Sequence, residues 1–318
     1  MQEQIQIIGV DVAKAQLVVA IHGSRPLGKT VGNDTASITA WLDSLPADCI
    51  VAMESTGKHH RLLAQLAHAA GMRVFVLNAR DVHFYAKALS GRSKTDRLDA
   101  AVIARYAAEH HGVLHAWQPP RGIEQQLQDL LRRRAEVTRL AVSLRQSLAD
   151  VPTLQEAAHE LLAAYDRFFA KLDGQLVALV DSDVGLQQGV ARLRTITGVG
   201  PQASIQLAAL FSRIDFANVG AVVAYSGLDP RACDSGMKHG KRRLSKRGPA
   251  VLRRQLYLVA FAASHSKALG PLYRAIKAKG FAPTQAFIIL ARKLLRAAFA
   301  VWKSGMPFDI NKFAVRQT

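Results

Sequence analysis

Three short apolar runs in the first eighty residues, "QIIGV", "CIVAM" and "RVFVL", constrain this chain more than any other feature. Each is rich in β-branched side chains and too short for a core helix, so each reads as a strand buried on both faces. "QIIGVDVA" and "LVVAIHG" are close enough in sequence to form a hairpin, and "KTVGN" supplies a third strand. Helix-length stretches separate the rest. "TASITAWLDSL" reads as a helix with Thr35 near its start, and "HHRLLAQLAHAAG" as one that stops at Gly71. "DVHFYAKAL" and "DRLDAAVIARYAAEH" follow "RVFVLNA"; the second places Leu98, Val102 and Tyr106 at helical spacing. Strands first in hairpins and then alternating with helices predict a mixed α/β sheet.

"AWQPPRG" breaks that pattern at Pro119 and Pro120 and marks a boundary. Beyond it, residues 123 to 149 are helical and charged, with an apolar stripe of Leu127, Leu130, Leu131, Val137, Leu140 and Leu144. A second helical stretch follows Pro152. The pair reads equally as a helical hairpin or coiled-coil arm, or as two helices packed on a core. From about Arg192 the chain is helical again and more basic.

Two of the apolar runs end in acids, Asp11 after "QIIGV" and Glu54 after "CIVAM". A third acidic element is "SKTDRLDA", where Asp96 and Asp99 stand at i,i+3 in the first turn of a helix and so share a side of it. Each acid also has an ordinary structural use. Asp96 and Asp99 suit a helix N-terminus, Asp11 a turn, and Glu54 a helix start. Together they are more telling. Four carboxylates at strand ends and a helix start cannot all ionise side by side without a cation. Two Mg²⁺ ions would satisfy them and would clamp the attacking and leaving oxygens of a phosphodiester.

A polyanionic partner follows independently from a formal net charge of +18. An anionic membrane is the competing partner, but no apolar run approaches the roughly 18 residues needed to span one. Cys49 and Cys233 are the only cysteines, so no disulfide framework or zinc spacing exists. The expected compartment is cytoplasmic and nucleoid-associated. Basic charge concentrates in "RACDSGMKHGKRRLSKRGPAVLRR", with nine Lys or Arg and one acid. Lys238, Lys241, Arg242, Arg243, Lys246 and Arg247 are its candidate nucleic-acid contacts. Gly236, Gly240 and Gly248 would allow close approach of a ligand to the backbone. Serines here and nearby, Ser226, Ser235 and Ser245, are equivalent on composition alone. "LRTITGVGPQASIQLAALF" resembles a helix-hairpin-helix, in which Gly198 and Gly200 would shape a turn that presents N–H groups to phosphate.

In order, "GVDVAKAQL", "ESTG", "NARDVHFYAKALSGRSKTDRLDA", "ITGVGPQAS", "YSGLDPR" and "DSGMKHGKRRLSKRGPAVLRRQLY" resemble the successive motifs of the DEDD-type insertion-sequence transposases, the bridge-RNA-guided serine recombinases. The resemblance covers nearly the whole chain. It implies a RuvC-like, RNase H-like α/β domain over 1–116, with Asp11, Glu54, Asp96 and Asp99 as its metal-binding set. It implies a helical coiled-coil region over 117–190 and a mostly α transposase domain over 191–318. The attacking serine of the family's Ser-Gly motif falls on Ser235. Further implications are a phosphoserine intermediate, Mg²⁺, donor and target DNA, a structured non-coding guide RNA, and a dimer or tetramer, with no membrane.

Three other readings compete with it. A RuvC-like structure-selective endonuclease would use the carboxylates and water alone. A sugar or acetate kinase of the actin-like fold would need glycine-rich phosphate loops, and "DVAKAQL" offers none. A non-enzymatic nucleic-acid binder would have no need of four acids.

Overall fold

The computed structural model describes residues 5–24, 29–46, 48–55, 57–89, 96–231 and 242–311, excluding the side chains of Asp96 and Arg97. The chain divides between Pro119 and Pro120 into two compact units.

The first unit holds a five-stranded sheet. Its strands are β1 (Ile7–Val12), β2 (Gln16–Ile21), β3 (Lys29–Gly32), β4 (Ile50–Glu54) and β5 (Arg73–Leu77), in the order β3-β2-β1-β4-β5. The hairpins β1–β2 and β2–β3 are antiparallel, whereas β1–β4 and β4–β5 are parallel. The sheet is therefore mixed, as the order of strand and helix signals predicts. Four helices cover it: α1 (Thr35–Leu42), α2 (His60–Ala69), α3 (Ala79–Ala88) and α4 (Asp96–His110). As expected, α1 starts at Thr35; Asp34 caps it, accepting a hydrogen bond from the Ser37 N–H at 2.9 Å.

Side chains alternate across the sheet. Ile8, Val10, Leu17, Val19, Val51 and Met53 share one core with Ile38, Trp41, Leu63 and Ala67 from α1 and α2. On the opposite face, Ile7, Ile50, Ala52, Phe75 and Leu77 share a core with Val82 of α3 and with Ile103 and Ala107 of α4. The stripe expected on α4 holds in part, since Val102 and Tyr106 pack against this second core. Leu98 is 40% exposed, and the sheet-facing positions are Ala100, Ile103, Ala104 and Ala107. Where α4 crosses Gly9 it does so with Ala100 and Ala104.

Helices dominate the second unit. They are α5 (Gly122–Ser147), α6 (Gln155–Asp181), α7 (Val184–Arg194), α8 (Pro201–Arg213), α9 (Val219–Ser226), α10 (Ala250–Ser264), α11 (Gly270–Ala278) and α12 (Pro283–Ser304). A two-residue ribbon, β6 (Pro230–Arg231) and β7 (Arg243–Leu244), lies between α9 and α10. The core gathers Leu193, Leu207, Leu252, Leu256, Leu290, Leu294 and Leu295, with α12 contributing the longest buried stripe.

Both long helices, α5 and α6, extend to about 40 Å at 1.5 Å per residue. The two sequence readings of this pair each hold for part of its length. Leu127, Leu172, Leu176 and Val180 belong to the core of the unit, whereas Leu140, Leu154, Leu161 and Phe168 are exposed farther along. At the transition Arg134 grips Asp173 with two hydrogen bonds, of 2.6 and 3.0 Å, and Gln202 of α8 adds a third at 3.2 Å. Among the described residues no helix is long and apolar enough to cross a membrane.

Candidate active site

Parallel pairing of β1 with β4 runs from Ile7↔Ile50 to Val10↔Met53. Asp11 and Glu54 are the next residue on each strand. They also remain paired outward, Asp11 with Val18 of β2 and Glu54 with Leu77 of β5. Because faces alternate, Asp11 lies on the face of Gly9, and Glu54 on that of Ala52. Equal register in a parallel pair makes this one face, and α4 covers it. Both acids are half-buried.

Gly9 sets how closely α4 approaches. A Cβ there would lie 2.2 Å from the Ala100 carbonyl oxygen and 2.3 Å from the Ala104 nitrogen, both backbone atoms. An interior strand glycine signals such an approach, but it points to no particular partner. The direction of α4 follows from its contacts. Ile103 and Ala107 share a core with Ile7, whereas Ala100 packs with Val18, the strand partner of Asp11. The helix therefore runs back along β1, and its first turn lies toward the end that bears Asp11 and Glu54. That turn carries Asp99, which is half-buried. Asp96 is the first residue of α4, and its side chain is outside the described residues. Among the described residues no three His, Cys, Asp or Glu side chains are grouped to hold a metal ion.

Asn33, which no sequence signal singled out, ties this end together. Its amide donates to the Ala13 carbonyl at 2.8 Å and to the His59 carbonyl at 3.3 Å, joining the β1–β2 turn to the start of α2. The neighbouring α3–α4 pair is held by Tyr85, which donates to the Glu109 carboxylate at 2.5 Å. Arg105 binds the other oxygen of Glu109 at 2.9 Å. Burial, then the carboxylate it donates to, holds the Tyr85 hydroxyl up at about 12, so it stays a donor at neutral pH.

In the second unit, β6 and β7 bracket residues 232–241. Ser235, Lys238 and Lys241 lie there, outside the described residues. The ends of the segment are firmly tied. Pro230 pairs with Leu244 and Arg231 with Arg243. Ser245 is buried; its N–H donates to the Asp229 carbonyl at 3.0 Å and its hydroxyl donates to the Asp229 carboxylate. Ser226 is fully buried, donating to the Val223 carbonyl at 2.7 Å and accepting from the Leu228 N–H at 3.2 Å. Both alternatives to Ser235 are thus engaged in holding the loop.

Gly248 departs from its expected use: the backbone it admits is the chain's own. A Cβ at Gly248 would lie 1.8 Å from the Tyr225 carbonyl oxygen. Arg253 donates to the Gly248 carbonyl and, at 3.4 Å, to that of Ser226. Around this base Arg242, Arg243, Lys246 and Arg247 are exposed.

The turn between α7 and α8 uses its two glycines differently. Gly198 has φ +92, and a Cβ would strike the Val259 carbonyl oxygen of α10 at 2.6 Å, so its smallness serves helix packing. Gly200 is the N-cap of α8, and the space beside its Cα is open. A cavity of about 480 Å³ adjoins it, lined by Asp173, Gly200, Gln202, Gln255 and Leu258 among others. A separate basic crowd, missed from sequence, lies on α12. Burial, and then Arg296, Arg292 and Lys279, push the Lys293 ammonium below its ordinary range.

Comparison with known proteins accounts for most of the chain. A DEDD family model of the IS110 type, described as "Transposase", matches residues 8–156, and one described as "Transposase IS116/IS110/IS902 family" matches residues 190–274. The chain is 30% identical over 269 residues to the pilin gene-inverting protein of Moraxella bovis, covering 81% of each chain. It is 29% identical to the protein of the same name from Moraxella lacunata, with the same coverage. A shorter match, 32% identical over 111 residues, is to the insertion element IS900 uncharacterized 42 kDa protein of Mycobacterium paratuberculosis. It spans 32% of this chain and 28% of that one.

Proposed function

The chain belongs to the IS110-type transposase family and is a DNA transposase or recombinase, and from that premise we propose that it cuts and rejoins DNA through a serine–phosphate intermediate, assisted by a carboxylate metal site. The first unit acts as the RuvC-like part. Asp11, Glu54, Asp96 and Asp99 would hold divalent metal, Mg²⁺ by the oxygen chemistry of the donors. Its contribution, when bound, is to neutralise charge on the scissile phosphate.

The observation that carries this reading is the register of β1 and β4. It brings Asp11 and Glu54 to adjacent places on one face, at the end toward which the first turn of α4 is directed. Half-buried carboxylates at neighbouring strand ends are oxygen donors of the kind that suits a hard divalent cation. The acids alone are compatible with hydrolysis by water. The basic ribbon that brackets Ser235 supports a second chemical group.

In the proposed step, Ser235 Oγ attacks the scissile phosphorus and the P–O ester bond to the leaving strand breaks. The hydroxyl proton ends on the leaving oxygen. One phosphodiester replaces another, so the reverse attack by a strand hydroxyl rejoins DNA without a further energy source. Arg242, Arg243, Lys246 and Arg247, with Lys238 and Lys241, would hold phosphates around the serine. The turn before α8 would contact backbone phosphate through Gly200, whose surroundings are open, with Gly198 holding it against α10. The names of the Moraxella relatives support inversion of a DNA segment as one outcome. A structured guide RNA would supply sequence recognition, and exchange between two duplexes requires a dimer or tetramer.

The test is recombination on a supercoiled plasmid carrying the DNA that flanks the reading frame, scored by junction formation. Asp11→Asn and Asp99→Asn are expected to remove the Mg²⁺-dependent product. Full activity of either variant, or of the wild type in EDTA, would overturn the metal assignment.

A further inference from the structure

Helix α3 carries a feature that the carboxylate site does not use. Arg80, His83, Phe84 and Lys87 are all exposed, and their i, i+3, i+4, i+7 spacing puts them on one stripe. Phe84 is 50% exposed. The Arg80 guanidinium stands over its ring, 5.4 Å from the centroid. The His83 imidazole meets it edge-on at 5.8 Å and 64°. The stripe thus presents a half-exposed aromatic ring with Arg80 over one face, His83 at its edge and Lys87 one turn farther on, within about 10 Å of helix.

The opposite side of α3 is anchored. Val82 is buried under the sheet, and Tyr85 packs edge-on against Tyr106 at 5.1 Å and is bonded to Glu109. Asn78 caps the helix, accepting from the Arg80 N–H at 2.9 Å. It directly follows Leu77, the strand partner of Glu54. The stripe therefore starts at the same end of the sheet as Asp11 and Glu54.

We propose that this stripe is a stacking platform for an unpaired base of the DNA strand that enters the carboxylate site. Phe84 takes the face of the base, while Arg80 and Lys87 take the phosphates on either side. An aromatic ring between cations suits single-stranded nucleic acid, because a base within a duplex has no free face to offer. The inference rests on the carboxylate reading for the choice of DNA, since the strand held at those acids is the one to be cut.

The experiment uses the full-length protein in EDTA, so that binding is read without cleavage. The probes are a single-stranded DNA oligonucleotide with one 2-aminopurine, and the same sequence with 5-iodouracil for photocrosslinking. Binding should quench 2-aminopurine fluorescence and crosslink to Phe84. Phe84→Ala should lose the quench and weaken Kd by about five- to a hundredfold, the scale of one stacked base. Phe84→Trp should keep both and show quenched tryptophan emission. Circular dichroism checks that each variant is folded.

Wild-type quenching and affinity in Phe84→Ala would overturn the platform. So would a Phe84 crosslink formed by the matching RNA oligonucleotide and not competed by DNA, which assigns the surface to RNA. The two proposals fail separately. Normal DNA binding by Phe84→Ala removes the platform and leaves the carboxylates, whereas full recombination by Asp11→Asn removes the carboxylate reading and leaves the quench.

Discussion

Gly9→Ala adds one methyl group between β1 and α4. Its carbon would meet the Ala100 carbonyl oxygen at 2.2 Å, where ordinary contact begins at 3.4 Å. The obstructing atoms are helix backbone and cannot rotate away, so α4 must lift by about 1 Å from a close-packed face. Overpacking of this kind costs about 1–3 kcal/mol. The lower backbone entropy of alanine in a strand returns about 0.5–1 kcal/mol, leaving a modest net destabilisation and a melting point a few degrees lower. On the proposed metal site activity should suffer far more, because α4 carries two of its proposed ligands, Asp96 and Asp99, and displacing such a group by about 1 Å can cost roughly a hundredfold in rate. Denaturant unfolding and recombination are measured side by side, with Gly112→Ala as control, since its Cβ would enter open space. Wild-type stability and wild-type recombination in Gly9→Ala would refute the close seating of α4. A stability loss with unchanged activity would refute the claim that the helix positions reacting groups.

Two further outcomes are expected. Arg134→Ala removes both guanidinium bonds to the half-buried Asp173 carboxylate and keeps the one from Gln202; urea unfolding should show a loss of about 1–3 kcal/mol. Arg134→Lys should recover little of it, because one ammonium cannot reproduce the two-pronged grip. Gly248→Ala drives a methyl into the Tyr225 carbonyl, so it should lower thermal stability and recombination together, whereas Gly220→Ala, which meets only the Asn218 side-chain oxygen at 3.0 Å, should be far milder.

Much of the first unit was legible because its signals are local. Short β-branched runs became β1, β4 and β5, and "DRLDAAVIARYAAEH" became α4 from end to end. The face of α4 was legible only in part: Val102 and Tyr106 pack against the core, whereas Leu98 is exposed. Ala100 and Ala104 carry little apolar signal of their own, yet they are where α4 meets Gly9, a contact that depends on a strand about ninety residues earlier. Asp11 and Glu54 were readable as acids after apolar strands, yet their shared face depends on parallel register, which no single strand encodes. The same holds in the second unit. Gly198 read as a phosphate turn, while the backbone it meets belongs to α10, more than sixty residues away. The bond between Asp229 and Ser245 spans the bracketed segment and has no local signature. Phe84 passed unnoticed because Arg80 and His83 gain meaning only once α3 places them around its ring.

The central claim is that Ser235 becomes linked to DNA. Trapping the protein on supercoiled donor DNA, digesting both and mapping the nucleotide-bearing peptide by mass spectrometry tests it most directly. The account predicts a phosphodiester on Ser235, absent from Ser235→Ala along with strand exchange. Cleavage at the normal rate by Ser235→Ala, or an adduct on another residue, would contradict it.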